Sequence, residues 1–94
     1  MVPTLYARFF ADGPALYEKA KEVALSQGYA VMVDNPEKGL IHLHKKGSGK
    51  TVHLIVYVGG KSDRSIAVEV MPGDEGRYMD FGRHFIDGLH KAVR

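Results

Sequence analysis

Apolar and polar residues alternate along most of the chain, which is the pattern of β-strands with one buried face. The alternation predicts five strands, at residues 4–10, 29–34, 40–46, 51–58 and 64–71. Segments rich in Gly, Asn, Asp, Ser and Pro separate the last four strands, and these residues favour tight turns. The last four strands are therefore expected to form an antiparallel meander.

Two segments repeat apolar residues every three or four positions, as a helix with one buried face does. The first covers residues 14–27 and opens with Pro14, which the first turn of a helix tolerates. The second follows Asp74, a potential helix cap. Its apolar stripe consists of Tyr78, Phe81, Phe85, Leu89 and Ala92. Gly82 lies on this stripe, where close packing on the sheet would account for it, whereas the sequence offers no reason for Gly88.

The order of elements predicts a single α+β domain over residues 1–94, with the arrangement β-α-β-β-β-β-α. The first strand closes the sheet beside the last, which gives one antiparallel five-stranded sheet in the order 1-5-4-3-2. Each helix has one apolar face, so both helices are expected to pack on the same face of the sheet. The opposite face is then left without a covering element.

Composition narrows the class of protein. The chain contains no cysteine, which excludes a disulfide framework and cysteine-based zinc sites and fits a reducing compartment. The N-terminus lacks the pattern of a signal peptide, and no apolar run is long enough to span a bilayer. We therefore expect a soluble cytoplasmic protein that does not associate with membranes. The net charge of +2 permits weak attraction to phosphates without predicting it.

Hairpin register predicts which polar side chains meet on the face away from the helices. The turn between the third and fourth strands places His44 opposite His53. In the next hairpin, Val56 is expected to face Ile66, which sets Glu69 opposite His53. A row of two imidazoles and a carboxylate follows from these two hairpins.

A third hairpin adds one more histidine near this row. If Val33 faces Ile41, then Met32 lies opposite His42, one step along the sheet. Imidazole and carboxylate groups at cross-strand spacing are suited to zinc, iron or nickel. The candidate metal ligands are His42, His44, His53 and Glu69. The alternative is a solvated polar face on which Glu69 pairs with His53.

The same face carries several apolar residues, although no helix is predicted to cover them. They are Met32, Ile55, Tyr57, Ala67 and Met71. A contiguous exposed apolar patch usually marks an interface, whereas single exposed apolar residues are ordinary. The predicted register makes the patch contiguous, so we expect it to bind a second copy of the chain or another protein.

Basic residues crowd two neighbouring turns and form a candidate anion-binding patch. They are Lys45, Lys46, Lys50, Lys61 and Arg64. No aromatic motif of an RNA-binding sheet accompanies them, so nucleic acid is not an expected partner. Solvated loop charge is the simpler interpretation.

No catalytic arrangement is recognisable. Gly47–Thr51 ends like a phosphate-binding loop, but His44 stands where the motif needs glycine, and a strand follows where it needs a helix. We therefore expect a non-enzymatic binding domain without a cofactor. The alternative is a small-ligand or metal-binding domain that uses the row of His44, His53 and Glu69 or the space between sheet and helices.

Overall fold

A computed structural model describes residues 4–9, 13–46, 49–59, 65–71 and 78–93 of the chain. Its elements, in chain order, are β1 (Thr4–Arg8), α1 (Gly13–Ser26), β2 (Ala30–Asn35), β3 (Leu40–Lys46), β4 (Thr51–Val58), β5 (Ser65–Met71) and α2 (Met79–Ala92). The strands form one antiparallel sheet in the order β1-β5-β4-β3-β2, which confirms the predicted fold class. Asp74, the predicted cap of the second helix, lies outside the described residues.

The inner face of the sheet supplies most of the core. Alternate strand residues point towards the helices and are almost completely buried; they are Ile41, Leu43, Val52, Leu54, Val56, Val58, Ile66, Val68 and Val70. The helices cover them with Leu16, Ala20, Val23, Ala24, Phe85 and Leu89. The burial of these two apolar surfaces against each other is the main stabilising contribution that the fold has available.

Two glycines of α2 allow that helix to approach its neighbours closely. A Cβ atom on Gly82 would lie 2.8 Å from Cδ1 of Leu5, so a side chain there would push α2 away from the sheet. A Cβ atom on Gly88 would lie 3.1 Å from Cγ1 of Val23 and 2.5 Å from Nε2 of Gln27, both near the end of α1. Gly82 therefore packs on the sheet as predicted, and Gly88 is the point where the two helices meet.

The predicted register is correct for one hairpin and wrong for the next. Between β3 and β4, His44 does lie opposite His53. Between β4 and β5, Ile66 faces Val58 instead of Val56, which moves Glu69 away from His53. A shift of two residues keeps every side chain on its face of the sheet, so alternation could not separate the two registers.

The pairing of β2 with β3 also differs from the prediction. The register shifts by one residue between Val31 and Val33, as in a β-bulge, so Val33 lies opposite His42 in place of the predicted Met32. Asp34, instead of Val33, then faces Ile41 on the helix side of the sheet. The shift also leaves Val33 40% exposed, although alternation placed it in the core.

The bulge brings Asp34 into contact with α1. The Tyr17 hydroxyl donates a hydrogen bond to Oδ1 of Asp34 at 2.5 Å, and Nζ of Lys21 lies 3.2 Å from Oδ2. The hydrogen bonds from Tyr17 and Lys21 lower the pKa of the Asp34 carboxyl. Burial, followed by the bond to Asp34, raises the pKa of the Tyr17 phenol. These contacts fix one end of α1 against the edge strand β2.

Gly39 closes the turn between β2 and β3 in a conformation that a side chain would not fit. Its φ is +64°, and a Cβ atom there would lie 2.3 Å from the carbonyl oxygen of Val58. The amide of Val58 also donates a hydrogen bond to the Gly39 carbonyl at 2.7 Å. The turn is therefore held directly against the end of β4.

We predict that Gly39→Ala lowers the free energy of unfolding by about 2–4 kcal/mol, because it combines backbone strain with a clash against a carbonyl oxygen. Gly49→Ala is the matched control, since Gly49 also has a positive φ but has no atom near its Cβ position. The control should lose only about 1 kcal/mol. Urea unfolding of both variants measures the difference, and equal losses would contradict the close contact at Val58.

Candidate functional site on the outer face of the sheet

The face of the sheet opposite the helices, called the outer face below, is built from the other half of the strand residues. Its central row crosses all five strands and contains Thr4, Glu69, Ile55, His42 and Val33. A second row contains Tyr6, Ala67, Tyr57 and Leu40. A third contains Met71, His53, His44 and Ala30. Directly opposed residues of such rows have Cβ atoms about 4.5–5.5 Å apart, so neighbouring side chains within a row touch.

The outer face is largely apolar. Of the predicted interface residues, Met32 and Tyr57 are 54% and 41% exposed. Ile55, Ala67 and Met71 are half-buried by their neighbours in the rows. These five residues lie on β2, β4 and β5.

Two further apolar residues belong to the outer face and were missed by the sequence analysis. Tyr6 is 79% exposed and pairs with Ala67, so it extends the patch to the edge strand β1. Both faces of β1 carry apolar residues in the sequence, so the alternation pattern could not show that Tyr6 points outward. Val33 joins the patch because of the bulge, which leaves no clear signal in the sequence.

Three histidines cluster beside this apolar area. Nε2 of His42 lies 3.0 Å from Nδ1 of His53, a hydrogen bond in which one ring donates and the other accepts. The rings of His44 and His53 are stacked, with centroids 6.3 Å apart. All three side chains are half-buried. The sequence predicted the contact of His44 with His53, while the closest contact, that of His42, runs diagonally across the two strands.

The environment of His42 favours its neutral form. Burial lowers the pKa of His42 below its ordinary value of 6.5, and the neighbouring His53 and His44 rings lower it further. A lowered pKa keeps the imidazole uncharged at neutral pH, when it can take part in the hydrogen bond with His53. His42 is therefore a polar but uncharged part of the outer face near pH 7.

The structure does not assemble the predicted metal site. Glu69 lies opposite Ile55 on β4, which separates it from His42 by two strand spacings and from His53 by a step along the sheet. Within the part of the chain that the structure describes, no group of three or more His, Asp or Glu side chains is arranged to hold a metal ion. The register shift between β4 and β5 is the physical reason.

One lysine of the predicted anion-binding patch is engaged in a contact within the fold. Nζ of Lys45 donates a hydrogen bond to the carbonyl of Gln27 at 2.9 Å, so this ammonium group is bound at the end of α1. Lys46 and Lys50 are exposed. Lys61 and Arg64 lie outside the described residues. Lys45 is thus engaged in a structural contact on the helix side of the sheet.

A groove of about 610 Å³ lies at the start of α1, beside the turn at residues 36–39. Gly13, Tyr17, Pro36 and Val58 are among the residues that line it. The hydroxyl of Tyr17 already donates its hydrogen to Asp34, so it is not available to a ligand in this arrangement. The groove offers volume for a small molecule at the edge of the fold and lies apart from the histidine cluster.

Comparisons with known proteins give no match to this chain, whether made against models of protein families, curated protein sequences or solved structures. Among the described residues, neither helix is long and apolar enough to cross a bilayer.

We predict that His42 titrates below the ordinary pKa of 6.5 and that His53→Asn raises its pKa, because the substitution removes a neighbouring positive charge. NMR titration of the ring carbon-bound protons measures both values. Because the unfolded chain binds more protons than the folded chain between the two pKa values, His42 makes stability fall as the pH drops below about 6.5. A His42 pKa at or above the ordinary value would contradict the burial and charge effects described here.

Proposed function

We propose that the chain is a non-enzymatic binding domain that forms a homodimer through the outer face of its sheet. The observation that carries the proposal is the exposure of large apolar side chains on a face that no described element covers. Tyr6, Met32, Val33 and Tyr57 are each between 40% and 79% exposed there. Most other large apolar residues of the described chain are in the core, which makes this concentration on one face unusual.

The position of the patch supports face-to-face association. Ile55 and Tyr57 lie on β4, the central strand of the sheet, with two strands on either side. A self-complementary interface uses the same surface on both copies, and a patch at the centre of a face gives the two copies the greatest overlap. Two sheets that pack in this way form a sandwich about 10 Å thick, as in many β-proteins.

A small-ligand function is the second candidate, and the groove beside α1 is the observation that favours it. Its volume is in the range of pockets that bind small molecules. The polar groups that line the groove include Glu18, Glu37 and Lys38, all of which are exposed. We rank this candidate second because exposed side chains do not fix the orientation of a ligand as buried polar groups do.

We predict that Ile55→Lys dissociates the dimer and leaves the fold intact. Ile55 lies at the centre of the outer face, whereas its neighbours Leu54 and Val56 are fully buried and hold β4 to the core. A lysine at this position would face the same lysine of the second copy, and like charges in an interface repel. Leu25→Lys is the matched control, because Leu25 is 61% exposed on α1, away from the outer face.

Light scattering across a range of concentrations at pH 8 measures the association, and circular dichroism checks the fold. The wild type and the Leu25 variant should be dimers and the Ile55 variant a monomer. A monomeric wild type at high concentration, or a dimer unaffected by the Ile55 substitution, would overturn the proposal and leave the small-ligand function ahead.

We also predict that association weakens as the pH falls from 8 to 5.5. Each copy brings three imidazoles to the outer face, from His42, His44 and His53, against the one carboxylate of Glu69. Arg8 and Lys46 also lie at outward positions, so each face is already net positive, and every proton that the histidine cluster gains increases the repulsion between the two like faces. Light scattering of the wild type at the two pH values measures the change, and an equal or tighter dimer at pH 5.5 would contradict it.

A further inference from the structure

We propose that the two copies of the dimer are related by a two-fold axis that runs along β4, so that Glu69 of each copy binds His42 of the other. This inference rests on the proposed function, because it specifies how the two outer faces meet. It identifies the partner as a second copy because the outer face carries both a carboxylate, Glu69, and an imidazole that can donate a hydrogen bond to it, His42.

The strand order and the register supply the geometry. β4 is the middle strand, with β5 on one side and β3 on the other. In the central row, Glu69 on β5 and His42 on β3 stand on either side of Ile55. A two-fold rotation about an axis along β4 exchanges β5 with β3, which places Glu69 over His42 and leaves Ile55 over its own copy.

The alternative arrangement has a two-fold axis that lies in the same plane, midway between the two sheets, but runs perpendicular to the strands. Along the central row, that rotation keeps each strand over its own copy. It places Glu69 against Glu69 and His42 against His42. Juxtaposed like charges disfavour an interface, whereas complementary ones fix its register. The charge pattern of the outer face therefore selects the axis along β4.

The axis along β4 also solves the problem of burying Glu69. Glu69 is the only acidic residue among the outward-facing positions of the described strands. Within those same residues, no hydrogen bond or ion pair to Glu69 is formed inside one copy. A carboxylate buried in an interface without a hydrogen-bond donor is strongly unfavourable, so the proposed interface requires a donor from the partner copy.

The hydrogen-bonded histidines have such a donor available. Two neutral imidazoles carry two ring N–H groups, and the contact between His42 and His53 uses one of them. The second N–H is Nδ1–H of His42 when Nδ1–H of His53 donates within the pair. A carboxylate of the partner that accepts this N–H forms a charge-assisted hydrogen bond and selects that tautomer.

Aligned packing of two twisted sheets is compatible with these contacts. The strands of two such sheets cross at about 30°, so strands of the two copies lie directly over each other at the centre of the interface and diverge towards its corners. Glu69 and His42 each lie one strand spacing, about 4.8 Å, from the axis. Their side chains therefore remain within reach of each other across the sandwich.

A charge exchange tests the proposal directly. In a homodimer, His42→Glu places like charges against one another, and Glu69→Lys removes the acceptor that His42 of the partner copy meets, so each variant alone should associate at least about tenfold more weakly than the wild type. An equimolar mixture should recover a one-to-one heterodimer, because one contact then joins the introduced lysine to the introduced glutamate and the other keeps the original pairing of Glu69 with His42. Native mass spectrometry distinguishes the heterodimer from the homodimers, and circular dichroism checks that both variants are folded.

Crosslinking supplies a second measurement that does not depend on charge. The chain has no cysteine, so single substitutions are labelled cleanly. With a bifunctional thiol reagent about 10 Å long, matching the distance between packed sheets, Ile55→Cys should link to its own copy. Val33→Cys should not, because the axis along β4 carries β2 over β1. Linking of the Val33 variant to itself would indicate the axis across the strands.

The outcomes separate the two proposals. A monomeric wild type overturns both the proposed dimer and its geometry. A dimeric wild type that is disrupted by Ile55→Lys, but whose charge-exchange mixture recovers no heterodimer, overturns the axis along β4 and retains the homodimer. Recovery of the heterodimer together with self-linking at Ile55 and not at Val33 supports the axis and the pairing of Glu69 with His42.

Discussion

The burial of one face of the sheet by two helices is the constraint on which the rest of the structure depends. The inner residues of β3, β4 and β5 are almost fully buried, and Gly82 and Gly88 let α2 reach both the sheet and α1. With both helices on the inner side, no described element remains for the other side. Because strand residues alternate, a buried inner row always comes with an outer row, and the properties of that outer row determine what the domain can bind.

Hairpin register then decides which outer residues meet, and here the sequence is informative only in part. The compact turn before β4 limits the register, so the pairing of His44 with His53 follows from turn length. The connection before β5 is longer, and a slip of two residues preserves the inward positions of Val56, Val58 and Ile66. Hydrophobic alternation therefore predicted the fold, the strand order and the core, but it could not place Glu69.

The bulge in β2 shows a second limit of the pattern. Alternation assigns Val33 to the inner face and Asp34 to the outer face, whereas the structure exchanges the two faces and leaves both side chains partly exposed. The hydrogen bond from Tyr17 and the ion pair with Lys21 stabilise Asp34 on the helix side. These partners lie 17 and 13 residues away in the chain, so local sequence does not reveal them. One local irregularity thus both attaches α1 to the edge strand and adds Val33 to the outer apolar surface.

The geometry of the histidine cluster changes its functional interpretation. As a row with Glu69 it would be a candidate metal site, but the register leaves two imidazoles that satisfy each other through one hydrogen bond. Burial and the neighbouring rings hold His42 in its neutral form, which makes the cluster compatible with an apolar interface near pH 7. A neutral, hydrogen-bonded imidazole such as His42 can be covered by another surface at small cost, while the separated carboxylate cannot unless it finds a donor. The displacement of Glu69 therefore removes the candidate metal site within one copy. It also leaves the Glu69 carboxylate in need of a hydrogen-bond donor from outside, and the same face of a second copy is able to supply one.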